Sequence, residues 1–339
     1  MTGPTLATLG RTDLEVPPVV LGTMARRPAA AEVRERLFHA AVELGMDTFD
    51  TAPLYDFGAT ERLLAEVLAS HRDLRLKVLT KVGLRWSADS RGPVHFETRD
   101  AGGGRRVVRR DCRPEAVRLD VEESLRRLGV DRLDLVQVHF RDADTPIDET
   151  MGALSALRQE GKLREIGVSN FSLDEIRAAQ RALGEVPLAA VQIRLNLMQR
   201  DPLAPSGIVS WCVENGVGVL AYSPLAEGRL ARLPIAGDRS LARSARRALQ
   251  AFARRADEAG MSMADLAVRW LTQQQGVTAA VVGVSSIDQL RSLAHPDEIG
   301  QELLQDVTRL FEQVALRAPW EQPRWRRLLM RWGARLGGE

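Results

Sequence analysis

Four residues of this 339-residue chain could together deliver a proton to a carbonyl oxygen: Asp50, Tyr55, Lys81 and His139. Asp50 closes a short apolar segment, and Tyr55 follows it in the run Asp-Thr-Ala-Pro-Leu-Tyr. The two residue types that matter most are scarce. Tyrosine occurs only at 55 and 222, and lysine only at 77, 81 and 162. A free phenol has a pKa of about 10, which makes it a poor acid at neutral pH. A neighbouring ammonium stabilises the phenolate and draws that pKa toward the working range. A carboxylate keeps the ammonium in place and charged. A histidine can hydrogen-bond the carbonyl oxygen and fix its direction. Singly, each has an ordinary explanation: a strand-end turn acid, a snorkelling lysine, a satisfied histidine, a packed tyrosine. Together they read as a device for reducing C=O, with the hydride supplied from elsewhere.

Such a device needs strand ends that converge. Short apolar runs occur at 19–22, 46–50, 74–81, 133–139, 162–168, 188–192, 217–221 and 279–283. They alternate with helical periodicity, which predicts an α/β fold, a parallel (β/α)8 TIM barrel. A doubly wound sheet is the competitor, but no Gly-x-Gly-x-x-Gly follows the first strand. Helices are expected over 30–44, stopped by Gly45, and over 60–70 and 114–128, the last with Pro114 in its first turn. Thr145 and Pro146 are expected to cap and start a further helix. Ser172 with Glu175 should box another, and Ser286 with Gln289 should open one by the same box. Residues 6–16 read as a hairpin turning at Gly10. The barrel domain is assigned to 1–318, with a Trp/Arg-rich tail at 319–339. Reactive groups of such barrels sit at the C-terminal ends of strands. Asp50, Lys81 and His139 end three consecutive strands, and neighbouring strands lie about 4.8 Å apart.

Composition narrows the partners. A net charge of +2 offers no basis for a nucleic-acid surface. No apolar run reaches membrane-span length, and the N-terminus lacks a basic segment followed by an apolar one. A cytoplasmic protein without a membrane partner is therefore expected. Cys112 and Cys212 make no metal or redox spacing; two reduced thiols are expected, with one disulfide as the alternative. No metal site is expected, and both a monomer and a homo-oligomer stay open.

The segment Gly45-Met-Asp-Thr-Phe-Asp-Thr-Ala-Pro-Leu-Tyr55 resembles the first signature of the aldo-keto reductase superfamily. Leu79-Thr-Lys81 resembles its lysine signature, and Leu133-Asp-Leu-Val-Gln-Val-His139 its histidine strand. Residues 161–170, 221–228 and 282–290 are similar to further family segments, in the expected order. The stretch after His139 is most similar to the bacterial branch that includes inositol-operon and general-stress reductases. The resemblance implies that Asp50, Tyr55, Lys81 and His139 form the catalytic tetrad, with Tyr55 as general acid. It also implies a nicotinamide cofactor lying across the barrel mouth without a Rossmann domain. NADP(H) is the expected form and NAD(H) the alternative. Ser169, Asn170 and Gln192 would hold the carboxamide, and Tyr222 would stack on the ring. Gly22, Thr23 and Met24, with Asp50, would border the nicotinamide end. Ser223, Pro224, Leu225, Gly228 and Leu230 would lie along the pyrophosphate. Gly283, Ser285, Ser286 and Gln289 would lie toward the adenosine phosphate. The implied partner is a small-molecule carbonyl compound.

Two regions depart from the family pattern. Members that prefer NADPH commonly carry an arginine or lysine where Ser285 stands, and often an asparagine where Leu293 stands. Ser285 is uncharged, with Arg291 as the nearby substitute. Arg194 and Leu195 replace the usual acidic and aromatic residues of strand six, altering either the substrate side or local packing. The insertion at 86–111 reads as a loop above the mouth. It is either a substrate lid bearing Trp86, His95 and Phe96, or a solvated loop. As a lid, its Arg105, Arg106, Arg109 and Arg110 would suit an anionic substrate. Gly102-Gly103-Gly104 reads as a flexible loop rather than a phosphate cradle. In the tail, Trp325, Leu328, Leu329, Trp332 and Leu336 share one helical face. That face fits the barrel or a sister subunit, with a membrane surface as the alternative. The expected activity is NAD(P)H-dependent reduction of an aldehyde or ketone, or its reverse. A specialised keto-sugar or natural-product reductase and a cofactor-binding accessory subunit are the alternatives.

Overall fold

The computed structural model of the chain describes residues 6–24, 30–100, 103–233, 241–294, 296–312 and 314. The tail at 319–339 lies outside them. Eight parallel strands close a barrel: β1 Val19–Gly22, β2 Thr48–Asp50, β3 Lys77–Val82, β4 Leu133–Val138, β5 Leu163–Ser169, β6 Ala190–Arg194, β7 Gly218–Tyr222 and β8 Ala279–Val282. The ring closes where β8 pairs with β1, Ala280 opposite Val19 and Val282 opposite Leu21. The helices that follow the strands include α1 Ala31–Glu43, α2 Ala59–Ser70, α3 Pro114–Leu128, α4 Ile147–Gln159, α5 Leu173–Leu183, α6 Ile208–Asn215, α7 Arg243–Glu258, α8 Met263–Thr272 and α9 Ile287–Leu293. Among the described residues, no helix is long and apolar enough to cross a membrane. Cys112 and Cys212 are both free and buried.

Two cores follow from the strand and helix periodicities. Val20, Leu79, Leu135, Ala190, Leu220, Ala279 and Val281 fill the inside of the barrel. A larger core lies between the strands and the helices, where α3 contributes Val117, Val121 and Leu128. The N-terminal hairpin pairs Ala7–Thr8 with Glu15–Val16. Its Leu9, Leu14 and Val16 are fully buried against the barrel interior. Gly10 turns there with φ 64°, and a Cβ would lie 2.7 Å from Ala189 O and 2.9 Å from Gly216 O. Only glycine fits that contact. Ala189 and Gly216 precede β6 and β7, so the hairpin seals the N-terminal end and leaves the opposite end for chemistry.

Three local expectations change. The insertion after β3 is a three-stranded antiparallel sheet, not a loop: Leu84–Arg85 and Val94–Arg99 flank Arg105–Arg110. Its central strand, Arg-Arg-Val-Val-Arg-Arg, carries no period-two alternation to mark it as a strand. Gly103 and Gly104 lie at its hairpin end, held by Asp100 through Gly103 N–H to Asp100 O at 2.9 Å and Gly104 N–H to Oδ1 at 2.8 Å. Thr145 does not cap α4; its hydroxyl donates to Asp142 Oδ2 at 2.6 Å, and Pro146 is the cap residue. Ser286 does accept from Gln289 N–H, but the Gln289 side chain turns to Ser285, leaving half a capping box.

One buried ion pair ties β3 to two helices. Glu61 of α2, fully buried, accepts from the Thr80 hydroxyl at 2.9 Å and from Arg127 Nε of α3 at 2.6 Å. Arg127→Met strands a buried carboxylate, at an expected cost of about 3–5 kcal/mol. Thermal unfolding should show a clear drop, restored in part by adding Glu61→Gln. An unchanged melting temperature in the single variant would remove this pair from the account of stability.

Candidate active site

Strand alternation decides which side chains enter the barrel. Leu79, Leu135, Ala190 and Leu220 face inward. Two residues further along, each strand presents its next inward side chain, one layer nearer the C-terminal mouth: Lys81, Gln137, Gln192 and Tyr222. His139 and Arg194 follow one layer higher. Lys81 is 1% exposed, and its ammonium has three donors. They reach Asp50 Oδ1 at 2.7 Å, the Thr51 carbonyl at 2.9 Å and Tyr55 Oη at 3.4 Å. The other Asp50 oxygen accepts from Gln192 Nε2 at 2.7 Å and from Gln137 Nε2 at 3.4 Å. Tyr55 is half-buried and opens the short turn Tyr55–Gly58 that leads into α2. Its ring meets His139 edge-on, with centroids 6.3 Å apart and planes at 81°. The four residues named from the sequence are therefore together at one end of the barrel.

Their charge states differ in one respect from the sequence expectation. Burial raises the Tyr55 phenol above its ordinary range; Lys81 pulls it down and Asp50 adds to the rise. The expected lowering does not occur, because desolvation of the phenol outweighs an ammonium already paired with Asp50. Burial opposes the Lys81 charge, yet Asp50 and Tyr55 outweigh it and hold the ammonium above the usual lysine range. Burial, followed by Lys81 and His95, holds His139 well below the usual imidazole range. At neutral pH the site thus contains a protonated phenol, an ammonium and a neutral imidazole.

Backbone strain marks the same end. Among the described residues, non-glycine left-handed conformations occur at Asp56, Phe57, Asn170, Ser223, Ala226 and Glu227. All six follow the C-terminal ends of β2, β5 or β7. Each costs on the order of 1–3 kcal/mol, and such residues cluster where function fixes the backbone.

Most residues expected around a cofactor lie at this mouth, but Leu230, expected along the pyrophosphate, is fully buried in the core. Asn170 follows β5; its Nδ2 donates to His139 O and Ser169 Oγ, both at 3.0 Å, and its Oδ1 accepts from Tyr222 Oη at 2.6 Å. Gln192 is engaged with Asp50. The amides assigned to a carboxamide are thus tied here to Asp50, to the His139 carbonyl and to Tyr222. Thr23 Oγ1 donates to the Asp50 carbonyl at 3.1 Å, and Met24 is exposed at the rim. Gly22 and Gly283 end β1 and follow β8; a Cβ on Gly22 would lie 3.4 Å from Gly283 N. After β7, Ala226 N–H donates to Ser223 O, while Gly228 N–H and Leu230 N–H both reach Leu225 O. Pro224 lies inside this turn. Ser285 donates both its N–H and its hydroxyl to Gln289 Oε1, at 3.0 and 3.2 Å. An aromatic face, adjacent amides, strand ends without side chains and a tight left-handed turn fit a nicotinamide dinucleotide.

Other predicted residues find different partners. Trp86 meets Phe57 edge-on at 5.3 Å, joining the insertion to the loop that carries Tyr55. The insertion's arginines are engaged within its own neighbourhood: Arg105 with Glu97, Arg106 with Asp100, Arg109 with the Gly92 carbonyl and Arg110 with His95. Arg194 pairs with Glu227 at 2.9 Å and lies 5.6 Å from the Tyr222 ring centroid. Gln137 and the Thr51 carbonyl were not singled out from the sequence. Strand parity could have found Gln137, which stands two residues before His139.

A family model described as Aldo/keto reductase family matches residues 18–296. An "Aldo-keto reductase dtxS3" from Metarhizium robertsii is 28% identical over 303 residues, 82% of this chain and 80% of that one. An "NADH-specific methylglyoxal reductase" from Escherichia coli is 31% identical over 232 residues, 66% of this chain and 68% of that one. The solved structure of the glycerol dehydrogenase AKR11B4 from Gluconobacter oxydans superposes with a TM-score of 0.76 at 29% identity, covering 94% of this chain and 99% of that one. The holo form of aldo-keto reductase AKR11C1 from Bacillus halodurans has the same fold, with a TM-score of 0.78 at 24% identity, covering 94% and 100%.

Proposed function

We propose that this chain, which belongs to the aldo/keto reductase family, reduces the C=O of an aldehyde or ketone, or runs the reverse, through the cluster around Tyr55. The observation that carries the reading is the Lys81 ammonium, bound at once to Asp50, Thr51 O and Tyr55 Oη. When bound, the nicotinamide supplies the hydride. The chain's own residues handle the proton. A substrate carbonyl oxygen lodged between Tyr55 and His139 accepts a hydrogen bond from each. As negative charge grows on that oxygen, Tyr55 gives up its proton. Lys81 stabilises the phenolate left behind, and Asp50, steadied by Gln192 and Gln137, holds Lys81 in place. A panel of aldehydes and ketones, followed by oxidation of NADH and NADPH, tests the activity. Folded, cofactor-binding protein that turns over no member would favour the accessory-subunit reading instead.

The local geometry supports NAD(H) over the NADP(H) that the sequence resemblance suggests. Both Ser285 donors are taken by Gln289. Asp288 places an exposed negative charge in the first turn of α9, where a 2′-phosphate would meet it. One relative is NADH-specific by name. Wild-type kcat/KM should favour NADH by about tenfold, and Ser285→Arg should shift the ratio toward NADPH by a similar factor. A wild-type preference for NADPH would reject this assignment.

A further inference from the structure

We propose that Arg194 forms an anion subsite beside the reacting centre and that the chain selects carbonyl substrates carrying a carboxylate. This rests on the carbonyl-reductase reading. Three observations carry it. First, parity on β6 is fixed at two points: Ala190 belongs to the interior core and Gln192 donates to Asp50. Arg194 is therefore the next inward residue, one layer above Gln192 at the mouth. Second, its neighbours belong to the site. The guanidinium lies 5.6 Å from the Tyr222 ring centroid. Tyr222 Oη donates to Asn170 at 2.6 Å, and Asn170 donates to the His139 carbonyl at 3.0 Å. Third, the cation retains binding capacity. A guanidinium carries several N–H donors in a planar fork suited to a carboxylate. Here NH1 reaches Glu227 Oε1 at 2.9 Å, Tyr222 is a second hydrogen-bond partner, and with those two engaged the Arg194 side chain is still 24% exposed.

Glu227 is the chain's own model for the ligand. Its carboxylate comes from the strained turn Ala226–Gly228, where Glu227 has φ 62°, and its side chain is 37% exposed. A pair this open to water is weak. A substrate carboxylate can therefore share the guanidinium with Glu227 or take its place. The insertion's Arg105 and Arg106 pair with Glu97 and Asp100 at the hairpin end of the insertion sheet, whereas Arg194 packs on Tyr222.

The test compares matched substrates with the full chain: succinic semialdehyde with butanal, and 3-carboxybenzaldehyde with its methyl ester. Wild type should favour the carboxylate of each pair by about tenfold or more in kcat/KM. Arg194→Met should collapse that ratio toward unity, Arg194→Lys should restore part of it, and Glu227→Gln should enlarge it. Cofactor affinity is read separately by quenching of protein fluorescence. A preference that survives in Arg194→Met overturns the proposal. So does a loss of cofactor affinity with the substrate ratio unchanged, which would assign the guanidinium to the cofactor phosphates. Turnover of the neutral member of each pair checks the carbonyl-reductase reading independently. If neutral members react and carboxylates gain nothing, only the subsite fails.

Discussion

Tyr55→Phe is expected to lower kcat for carbonyl reduction by about 10³-fold while leaving the affinity for reduced cofactor near the wild-type value. The substitution removes one oxygen atom. The ring can keep its edge contact with His139, and Lys81 keeps its two shorter bonds, to Asp50 and Thr51 O. What disappears is the proton donor. The direction of the phenol shift then sets the pH behaviour. Because burial raises Tyr55 above its ordinary value of about 10, the acid form persists through neutral pH. Reduction should therefore be flat from about pH 6 to about pH 8 as far as this group is concerned, and should fall only at alkaline pH. Alcohol oxidation needs the phenolate and should rise with pH over that alkaline interval. His139 is the competing donor, but its neutral imidazole is held so far below the usual range that it carries no exchangeable second proton at neutral pH. Full turnover in Tyr55→Phe would transfer the acid role to His139 or to a water molecule.

The barrel and the cluster at its C-terminal end were legible for a simple reason. Period-two and period-3.6 patterns are written in consecutive residues, so β1, α2, α3 and the Ser172 capping box could be placed directly. The clustering of Asp50, Tyr55, Lys81 and His139 was visible because tyrosine and lysine are rare in this chain and Tyr55 and Lys81 fall beside strand ends. Features that depend on long-range competition were not visible. Whether Lys81 lowers the Tyr55 pKa depends on how much water the fold removes, and sequence spacing does not encode desolvation. Gln137 matters only because β3 and β4 align it with Lys81, and the Thr51 carbonyl only because β2 pairs with β3, Asp50 opposite Leu79. The insertion differs from the loop expected because the Arg105–Arg110 strand, Arg-Arg-Val-Val-Arg-Arg, lacks period-two alternation and its charge looks like a solvated loop. Its partners Glu97 and Asp100 become informative only once the hairpin brings them alongside.

Lys81→Met should affect both stability and catalysis, and a second substitution separates the two. In the wild type, Asp50 is 2% exposed and Lys81 1%. Removing the ammonium leaves a buried carboxylate held only by the Gln192 and Gln137 amides. An uncompensated buried charge of this kind costs about 3–5 kcal/mol, so the unfolding midpoint should fall clearly. Turnover should fall as well, by about 10²–10³-fold, because the phenolate formed at Tyr55 loses its only direct cation among the described residues. Adding Asp50→Asn removes the stranded charge, and the amide can still hydrogen-bond its neighbours. The double variant should therefore regain most of the lost stability. It should not regain turnover, since no ammonium returns to the phenol. Thermal unfolding and kcat measured on the same preparations distinguish the cases. If activity recovers together with stability, Lys81 acts through the fold and not through the charge on Tyr55. If stability recovers alone, the ammonium is the group that makes a tyrosine with a raised pKa a usable acid.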